Sequence, residues 1–166
     1  MSGGKAWVFG DDIDTDVLAP GLYMKGTLDV LASHCLEAVD ADFARHVRPG
    51  DVVVGGKNFG IGSSREQAVE ALLFLGVRLL VAQSFAGIFF RNALNLGVSA
   101  LTCAQATKIR PGDRISADPL RGVITNHTTG QTYACDRLPD KLLAMVQDGG
   151  LVAHLQKKLG KKNAVT

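Results

Sequence analysis

The sequence predicts a single α/β domain spanning residues 1–166. Hydrophobic residues make up 46% of the chain and charged residues 20%, which is enough apolar material for one sizeable core and too little charge for a disordered chain. Short apolar runs alternate with helical patterns as far as residue 103. After the turn Pro-Gly-Asp at residues 111–113 the pattern changes to short strands and then to a helical tail.

Strands are predicted where an apolar run is bounded by turn residues. In the first part of the chain these runs are residues 6–9, 51–54, 78–82 and 98–103. The turn Arg-Pro-Gly-Asp at residues 48–51 leads into the second run. Three shorter strands are predicted at residues 114–117, 122–126 and 131–134. The last two of these are joined by Thr-Thr-Gly, which predicts a hairpin.

Helices are predicted between these strands. Apolar spacing indicates helices near residues 28–39 and at residues 68–75, and Gly76 ends the second. Ser84 is a candidate N-cap for a helix that runs to about Leu96, where Gly97 ends it. A helical tail is predicted from about residue 139 to residue 159. The two helices between residues 68 and 97 imply two consecutive strand–helix units.

Charge and hydropathy exclude several classes of function. The 18 Lys and Arg residues nearly balance the 16 Asp and Glu residues and are mixed with them along most of the chain, so we expect neither a nucleic-acid nor a membrane partner. The longest apolar stretch, residues 71–82, contains Gly76 and Arg78, and no apolar signal segment develops in residues 1–12. We therefore expect a protein that neither spans a membrane nor is exported.

The cysteines and histidines predict no metal site made wholly within this chain. Cys35, Cys103 and Cys135 form no Cys-x-x-C pair and are odd in number, which favours a reducing compartment and a cytoplasmic protein. The 4 histidines are scattered, and none stands at ligand spacing from a cysteine or from another histidine. Any metal must therefore come from elsewhere.

The residues best suited to chemistry follow a glycine-dense loop at residues 55–62. Ser63, Ser64 and Arg65 stand where this loop becomes a helix, and a helix N-terminus offers unpaired N–H groups and a favourable dipole to a carboxylate or phosphate. A capping arrangement, with Ser63 or Ser64 as N-cap, explains the serines without catalysis. It explains neither the many glycines nor Arg65, because a cation in the first turn opposes the helix dipole.

A second polar cluster, residues 11–16 (Asp-Asp-Ile-Asp-Thr-Asp), follows the first predicted strand. Its alternating aspartates match the start of a calcium-binding loop, but Val17 and Tyr23 stand where such a loop needs Gly and Glu. The cluster is then either a solvated acidic turn or the source of one carboxylate, Asp16, that fixes the tautomer of a histidine. This chain offers no obvious histidine for that role.

Three segments together resemble the small-subunit family of 3-isopropylmalate dehydratases, within the aconitase superfamily. They are residues 10–16 (Gly-Asp-Asp-Ile-Asp-Thr-Asp), residues 56–68 (Gly-Lys-Asn-Phe-Gly-Ile-Gly-Ser-Ser-Arg-Glu-Gln-Ala) and residues 84–93 (Ser-Phe-Ala-Gly-Ile-Phe-Phe-Arg-Asn-Ala). The resemblance covers nearly the whole chain. It implies a swivelling β/β/α domain of the aconitase C-terminal type, with homoaconitase small subunits as an alternative within the superfamily.

The resemblance also implies a hydro-lyase that is active only with a large subunit. That partner would hold a [4Fe–4S] cluster, and the reaction would interconvert 2-isopropylmalate and 3-isopropylmalate by dehydration and rehydration, as in leucine biosynthesis. By matched position, Ser63 would be the base that takes the Cα proton, and Asp16 would pair with a histidine of the large subunit. Ser64, Arg65 and the loop at Gly62 would bind the substrate.

Substrate choice in this family is associated with the loop after the acidic motif, here residues 21–27. Lys25 is either a surface lysine whose stem packs or a cationic contact to a distal carboxylate of the substrate. Two residues depart from the family pattern, since Gly87 stands where arginine is usual and Ile61 where cysteine is frequent. The missing charge at Gly87 loosens the wall of the site, changes which acid fits, or is compensated by Arg91.

A function of a different class stays open. A non-catalytic carboxylate-binding module would keep the same fold and loop, and it would tolerate loss of the Ser63 hydroxyl. We also expect the free chain to form a homo-oligomer, because the surface made for a large subunit should be apolar and exposed.

Overall fold

The protein is described here as a computed structural model covering residues 3–164, with side-chain environments for residues 3–160, and its framework is one seven-stranded mixed sheet. The strands are β1 Gly4–Val8, β2 Val52–Val54, β3 Leu79–Ala82, β4 Ser99–Thr102, β5 Arg114–Asp118, β6 Val123–Asn126 and β7 Gln131–Ala134. Their order across the sheet is β4-β3-β2-β1-β5-β6-β7. The first four are parallel, and β5, β6 and β7 are antiparallel to their neighbours. All seven predicted strands are confirmed.

The parallel half of the sheet is buried on both faces. Val52 and Val54 pack in one apolar cluster while Val53, which points the other way, packs in a second cluster, and none of the three is more than 1% exposed. Parallel strands covered on both faces read as continuous apolar runs rather than alternating ones. This explains why the predicted strands appeared as uninterrupted valine and leucine segments.

Seven helices surround this sheet in the described part of the chain. They are α1 Thr15–Leu18, α2 Leu28–Ser33, α3 Phe43–His46, α4 Glu66–Phe74, α5 Gly87–Asn95, α6 Asp140–Gln147 and α7 Leu151–Ala164. Short 3-10 turns lie at Gly21–Tyr23 and Ala106–Lys108. Within residues 3–164, none of these helices has the length and hydropathy needed to cross a membrane.

The predicted N-caps of α4 and α5 are wrong, although Gly76 and Gly97 follow the ends of these helices as predicted. The Ser84 hydroxyl accepts a hydrogen bond from the Asn58 N–H (2.8 Å), and α5 begins only at Gly87, with Ala86 as its N-cap. Arg65 occupies the N-cap of α4, and no side chain caps that helix. Neither Ser63 nor Ser64 is therefore used as a cap, which leaves both hydroxyls available for another purpose.

Two predicted helical stretches are interrupted. The pattern at residues 28–39 gives a helix only as far as Ser33, because Leu36 adopts a left-handed φ of 61° and its N–H donates to the Val17 carbonyl. The predicted tail is two helices rather than one. Gly149 and Gly150 separate α6 from α7 with φ angles of 94° and 118°, which only glycine adopts readily.

Candidate active site

Three loops meet at the edge of the sheet where β1, β2 and β3 end, and we call residues 60–65, in the middle one, the serine loop. Parallel strands end at the same edge, so the segments that follow them become neighbours. Main-chain hydrogen bonds then tie the loops together: Gly60 donates to Ile13 (2.7 Å), Thr15 donates to Ile61 (2.8 Å), and Ala86 donates to Phe59 (2.9 Å). The serine loop is thereby fixed between the acidic turn and the start of α5.

Glycine is required at two positions of this loop. Gly60 has a φ of 85°, and a Cβ atom there would lie 2.1 Å from Phe89 Cγ. Gly62 has a φ of 109°, and its Cβ would lie 3.0 Å from the Thr15 hydroxyl. Both the left-handed backbone and the close approach exclude a side chain. The glycines that the capping interpretation left unexplained are thus needed to bring the loop against its neighbours.

A cavity of about 130 Å³ opens beside the serine loop. It is lined by Thr15, Gly60, Gly62, Ser63, Ser64, Arg65, Ala86, Gly87, Ile88, Phe89 and Asn92. These residues form two walls of different chemistry. Hydroxyl groups and a guanidinium form the polar wall, and the start of α5 forms a wall that is apolar apart from Asn92.

The polar wall presents donors that the protein itself does not use. Ser63 and Ser64 are exposed, and within residues 3–160 neither hydroxyl has a hydrogen-bond partner. In the same part of the chain, their backbone N–H groups also lack a main-chain acceptor. Both residues immediately precede the N-terminus of α4, where the helix dipole favours negative charge. This arrangement suits a carboxylate.

Arg65 is anchored at the edge of the cavity by one of its terminal nitrogens. Its Nη1 donates to Asp16 Oδ1 and to the Ala19 carbonyl, each at 3.1 Å. A guanidinium carries five N–H donors, so Nε and Nη2 stay available for a planar acid group. Asp16 therefore reaches the site through Arg65 and does not line the cavity itself.

Asp16 is held in its ionised form by two neighbours. The Gly21 N–H, which donates to Oδ1 (3.0 Å), and next the Arg65 guanidinium lower the pKa of the Asp16 carboxyl below its usual value. Because the pKa is depressed on folding, the stabilisation is present at neutral pH and disappears as the pH falls through the folded-state pKa. The side chain is 69% exposed, so the ion pair adds little to global stability and acts mainly on the position of Arg65.

We expect Asp16→Asn to weaken substrate binding through misplacement of Arg65, and to lower stability slightly at pH 7. The stability difference from the unsubstituted protein should shrink as the pH falls below about 4, where the carboxyl of the unfolded chain takes up a proton, and it should vanish once the pH has fallen through the lower pKa of the native carboxyl. Urea unfolding of both proteins at pH 7 and pH 3 measures the difference between their free energies of unfolding. Asp42→Asn is the matched control, because the Asp42 carboxyl is exposed and has no hydrogen-bond partner within residues 3–160. A difference that grows at low pH would contradict this account.

The other aspartates of the acidic turn hold the neighbouring loop. Asp11 accepts from the Lys57 N–H (2.8 Å), and Asp12 accepts from Asn58 Nδ2 (3.0 Å). Asp14 caps α1 by accepting from the Val17 N–H (2.8 Å). The turn is solvated, as one interpretation expected, but its carboxylates also fix the geometry at the edge of the sheet.

The structure does not bring every predicted residue to the cavity. Lys25 and Arg91 are exposed and do not line it, so Arg91 does not supply the charge missing at Gly87. Sequence reasoning missed Ile88 and Asn92, which line the cavity one helical turn apart. Ile88 and Asn92 follow the Ser-Phe-Ala-Gly segment and are four residues apart, a spacing that predicts that they share one face of a helix. The spacing could not show that this face of α5 meets the serine loop.

The cysteines of this chain do not fit an iron–sulfur cluster. Burial raises the pKa of the Cys35 and Cys103 thiols, and it raises the pKa of Cys135 to about 11, whereas cluster ligands are thiolates. Residues 3–160 contain no group of three or more His, Cys, Asp or Glu side chains placed to hold a metal ion.

Comparison with known families gives residues 17–106 as an aconitase C-terminal domain. That span contains the serine loop and α5, and it covers more than half of the chain. The chain belongs to the aconitase C-terminal domain family. The predicted fold of that type is confirmed, since a crystal structure of 3-isopropylmalate dehydratase from Methanocaldococcus jannaschii superposes with a TM-score of 0.92 at 38% identity, covering 98% of each chain.

Relatives of this aconitase C-terminal domain match it over nearly their full length. The 3-isopropylmalate dehydratase small subunit of Methanosarcina mazei is 46% identical over 160 residues, covering 96% of this chain and 99% of the relative. The small subunit 1 of Archaeoglobus fulgidus with the same name is 47% identical over 90% of this chain and 93% of its own. A homoaconitase small subunit from Methanothermobacter thermautotrophicus is 45% identical over 94% and 91%.

Proposed function

We propose that this chain is the small subunit of a 3-isopropylmalate dehydratase, a heteromeric hydro-lyase that interconverts 2-isopropylmalate and 3-isopropylmalate in leucine biosynthesis. One observation carries the proposal: a single cavity sets a polar wall suited to a carboxylate, with Ser63, Ser64 and Arg65, against an apolar wall at the start of α5. A small hydroxy acid with a branched alkyl group needs both. The names of relatives that are 43–47% identical point to the same reaction.

Each polar residue has a separate part in the proposed reaction. Ser63, whose hydroxyl is exposed and unpartnered within residues 3–160, takes the proton from the carbon beside a carboxylate and returns it on rehydration. Ser64 and the loop at Gly62 hold that carboxylate, together with Nε and Nη2 of Arg65. Asp16 holds the guanidinium in place, and in the assembled enzyme it is also expected to meet a histidine of the large subunit.

The rest of the chemistry belongs to the partner subunit. Dehydration requires a hydroxyl group to leave, and a [4Fe–4S] cluster in the large subunit would supply the Lewis acid for that step. The cavity of this chain is open, so the partner would also exclude water, which strengthens the electrostatic interactions inside the site. We therefore propose that the isolated chain is inactive.

The test is activity of the assembled pair. The chain is co-produced with the large subunit encoded in the same genome, the cluster is reconstituted, and isomerisation of 2-isopropylmalate is followed through the absorbance of the unsaturated intermediate. The pair should turn over and each subunit alone should not. Turnover by the isolated 17.6 kDa chain, or no turnover by the pair on any alkylmalate, would overturn the proposal.

Homoaconitase activity is the second candidate, since one relative at 45% identity carries that name. Lys25 would then contact the extra carboxylate of a tricarboxylic acid in the assembled enzyme.

We expect Lys25→Met to raise KM for homocitrate-type acids and to leave KM for isopropylmalate unchanged, because only the former carry a third carboxylate for the ammonium group. Steady-state kinetics on both acids measures this. Lys57→Met, at another exposed lysine, is the control. An equal change for both acids would remove Lys25 from substrate selection.

A further inference from the structure

The side chain of Tyr23 lies flat on the imidazole of His34. The two ring centroids are 3.6 Å apart, and the ring planes are inclined by only 1°. The other aromatic pairs in the described part of the chain have centroids 5.4–6.3 Å apart. Tyr23 ends the 3-10 turn that begins at Gly21, and His34 is the C-cap of α2. The stack therefore joins the loop at residues 21–27 to the end of a helix.

The imidazole of His34 is held by its own surroundings as well as by the tyrosine. Its Nδ1 lies 2.7 Å from Glu37 Oε2, and because an ionised carboxylate only accepts hydrogen bonds, Nδ1 carries a hydrogen and donates it. Two residues after His34, Leu36 is fully buried, and its N–H donates to the Val17 carbonyl (3.0 Å). His34 thus offers Tyr23 a surface whose position is set by the core.

The middle of the loop has few other ties to the part of the chain that the structure describes. The main-chain hydrogen bonds that the N–H groups of residues 22–26 donate there all close turns within residues 20–26, at 3.0–3.3 Å. Leu22 is 85% exposed, whereas Tyr23 and Met24 are partly buried against the core. The conformation of the loop therefore depends on the Tyr23 ring, with apolar support from Met24.

The first residue of the loop shares a partner with Arg65. The Gly21 N–H and Arg65 Nη1 both donate to Asp16 Oδ1, at 3.0 Å and 3.1 Å. Arg65 Nη1 also donates to the carbonyl of Ala19, two residues before the loop begins. A displaced loop would withdraw one of the two donors from the carboxylate that holds the guanidinium. Hydrogen bonds thus connect the loop to the polar wall of the cavity.

We propose that the stack of Tyr23 on His34 positions residues 21–27 beside Arg65, and that His34 is a positioning residue for substrate binding in the assembled enzyme. Neither ring lines the cavity, so both act through the loop and the pair of Asp16 and Arg65. This inference rests on the proposed function and deepens it, because it names the contact that holds the loop in its binding conformation.

The expected signature is a change in KM rather than in kcat. A loop that holds its binding conformation for only a fraction of the time lowers the apparent affinity by that fraction. Once the substrate is bound the loop is in place, and proton abstraction by Ser63 proceeds as before. A side chain that only stabilised the fold would change neither constant in the folded enzyme.

The experiment removes each ring in turn. Complexes of the large subunit with the unsubstituted chain, Tyr23→Leu, His34→Leu and the double variant are assayed with 3-isopropylmalate. We expect each single variant to raise KM by about 3–10-fold with kcat within about twofold, the range expected for one aromatic pair. The double variant should have about the same KM as either single variant, because both changes remove one shared contact.

Two control variants accompany these complexes. Tyr23→Phe keeps the ring that stacks on His34. His46→Leu removes another histidine, which is exposed on α3 and whose side chain has no hydrogen-bond partner within residues 3–160. Both controls should keep the KM of the unsubstituted complex.

A binding measurement keeps the inference separate from the proposed reaction. Calorimetry of the same complexes with 2-isopropylsuccinate, which lacks the hydroxyl and cannot react, should show the same loss of affinity in the two ring-loss variants. If the unsubstituted complex binds this acid but turns over no hydroxy acid, the proposed function fails while the affinities still decide the inference. Hydrogen exchange of the isolated chain should also become faster at residues 21–27 in these variants and stay unchanged in the controls.

A third change covers the case in which the ring-loss variants do not fold. Glu37→Leu removes the acceptor of the imidazole at a side chain that is 41% exposed, so the fold should tolerate it. We expect this variant to raise KM by about 2–3-fold, because the imidazole then turns more freely under Tyr23. Unchanged KM and affinity in every folded variant, a loss of kcat alone, additive losses in the double variant, or no binding to the unsubstituted complex would overturn the inference.

Discussion

Replacing Ser63 with alanine is expected to lower kcat of the heteromeric enzyme by about 10²–10⁴-fold, the usual contribution of a general base. KM should change little, because Ser64 and Arg65, the proposed carboxylate-binding residues of the same cavity, remain. Steady-state kinetics of the assembled pair gives both constants. A loss of this size in kcat alone separates an enzyme from a carboxylate-binding module, which would tolerate the change.

The physical requirement behind this prediction is a lowered pKa at a serine hydroxyl. Each unit of lowering needs about 1.4 kcal/mol of preferential stabilisation of the alkoxide. The end of α4 supplies about 0.3–1 kcal/mol, and up to about 2 kcal/mol when partly buried, so it is insufficient alone. The Arg65 guanidinium and exclusion of water by the large subunit must add to it. Ser63 should therefore become basic only in the assembled, closed enzyme.

Two further serine variants complete this experiment. Ser64→Ala should raise KM more than it lowers kcat, because that hydroxyl is assigned to binding. Ser33→Ala, at a distant serine whose hydroxyl donates to the Val30 carbonyl (2.6 Å), should leave both constants unchanged. A Ser63→Ala enzyme that keeps more than about a tenth of kcat would remove this residue from the role of base.

Replacing Gly60 with alanine should destabilise the protein by about 2–5 kcal/mol. The left-handed φ of 85° costs an L-residue about 1–2 kcal/mol, and displacing the Phe89 ring from a Cβ atom 2.1 Å away adds about 1–3 kcal/mol. Urea unfolding followed by circular dichroism measures the change. Because a domain of this size is stable by only about 5–15 kcal/mol, much of its stability would be lost.

Gly160→Ala is the matched control for this second prediction. Gly160 lies in α7, its φ is not left-handed and an added Cβ meets no atom within 4 Å, so alanine should be neutral or slightly stabilising there. Equal stability of the Gly60 and Gly160 variants would mean that the serine loop can move away from Phe89, and that its glycines are not needed for close packing.

The fold could be predicted from the sequence because its strongest signals are local. β2 and β3 are apolar runs between turns, and the helix ending at Gly76 and the hairpin of β6 and β7 have clear boundary residues. The order of the strands across the sheet could not be read in this way, since pairing between distant segments leaves no local pattern. The N-cap prediction at Ser84 failed for a related reason, because its hydroxyl accepts a hydrogen bond from the N–H of Asn58, 26 residues away in the sequence.

The candidate site was predicted only in part. Residues that are adjacent in the sequence could be grouped, whereas contacts between distant segments could not. Ser63, Ser64 and Arg65 lie together at one loop-to-helix junction, and adjacency in the sequence was enough to group them. The contact of Arg65 with Asp16 spans 49 positions, and the wall carried by Ile88 depends on how α5 is rotated against the serine loop. Neither follows from spacing, because both are set by packing across the sheet.

The main-chain bonds that join Gly60, Thr15 and Ala86 to neighbouring loops have a consequence for how this family can diversify. Backbone atoms are common to all amino acids, so the side chains that line the cavity can change without moving the loop that carries Ser63, the proposed base. Selectivity and chemistry are then inherited separately. Similarity of about 45% to relatives named for two different acids, isopropylmalate and homoaconitate, is the pattern such a separation would leave.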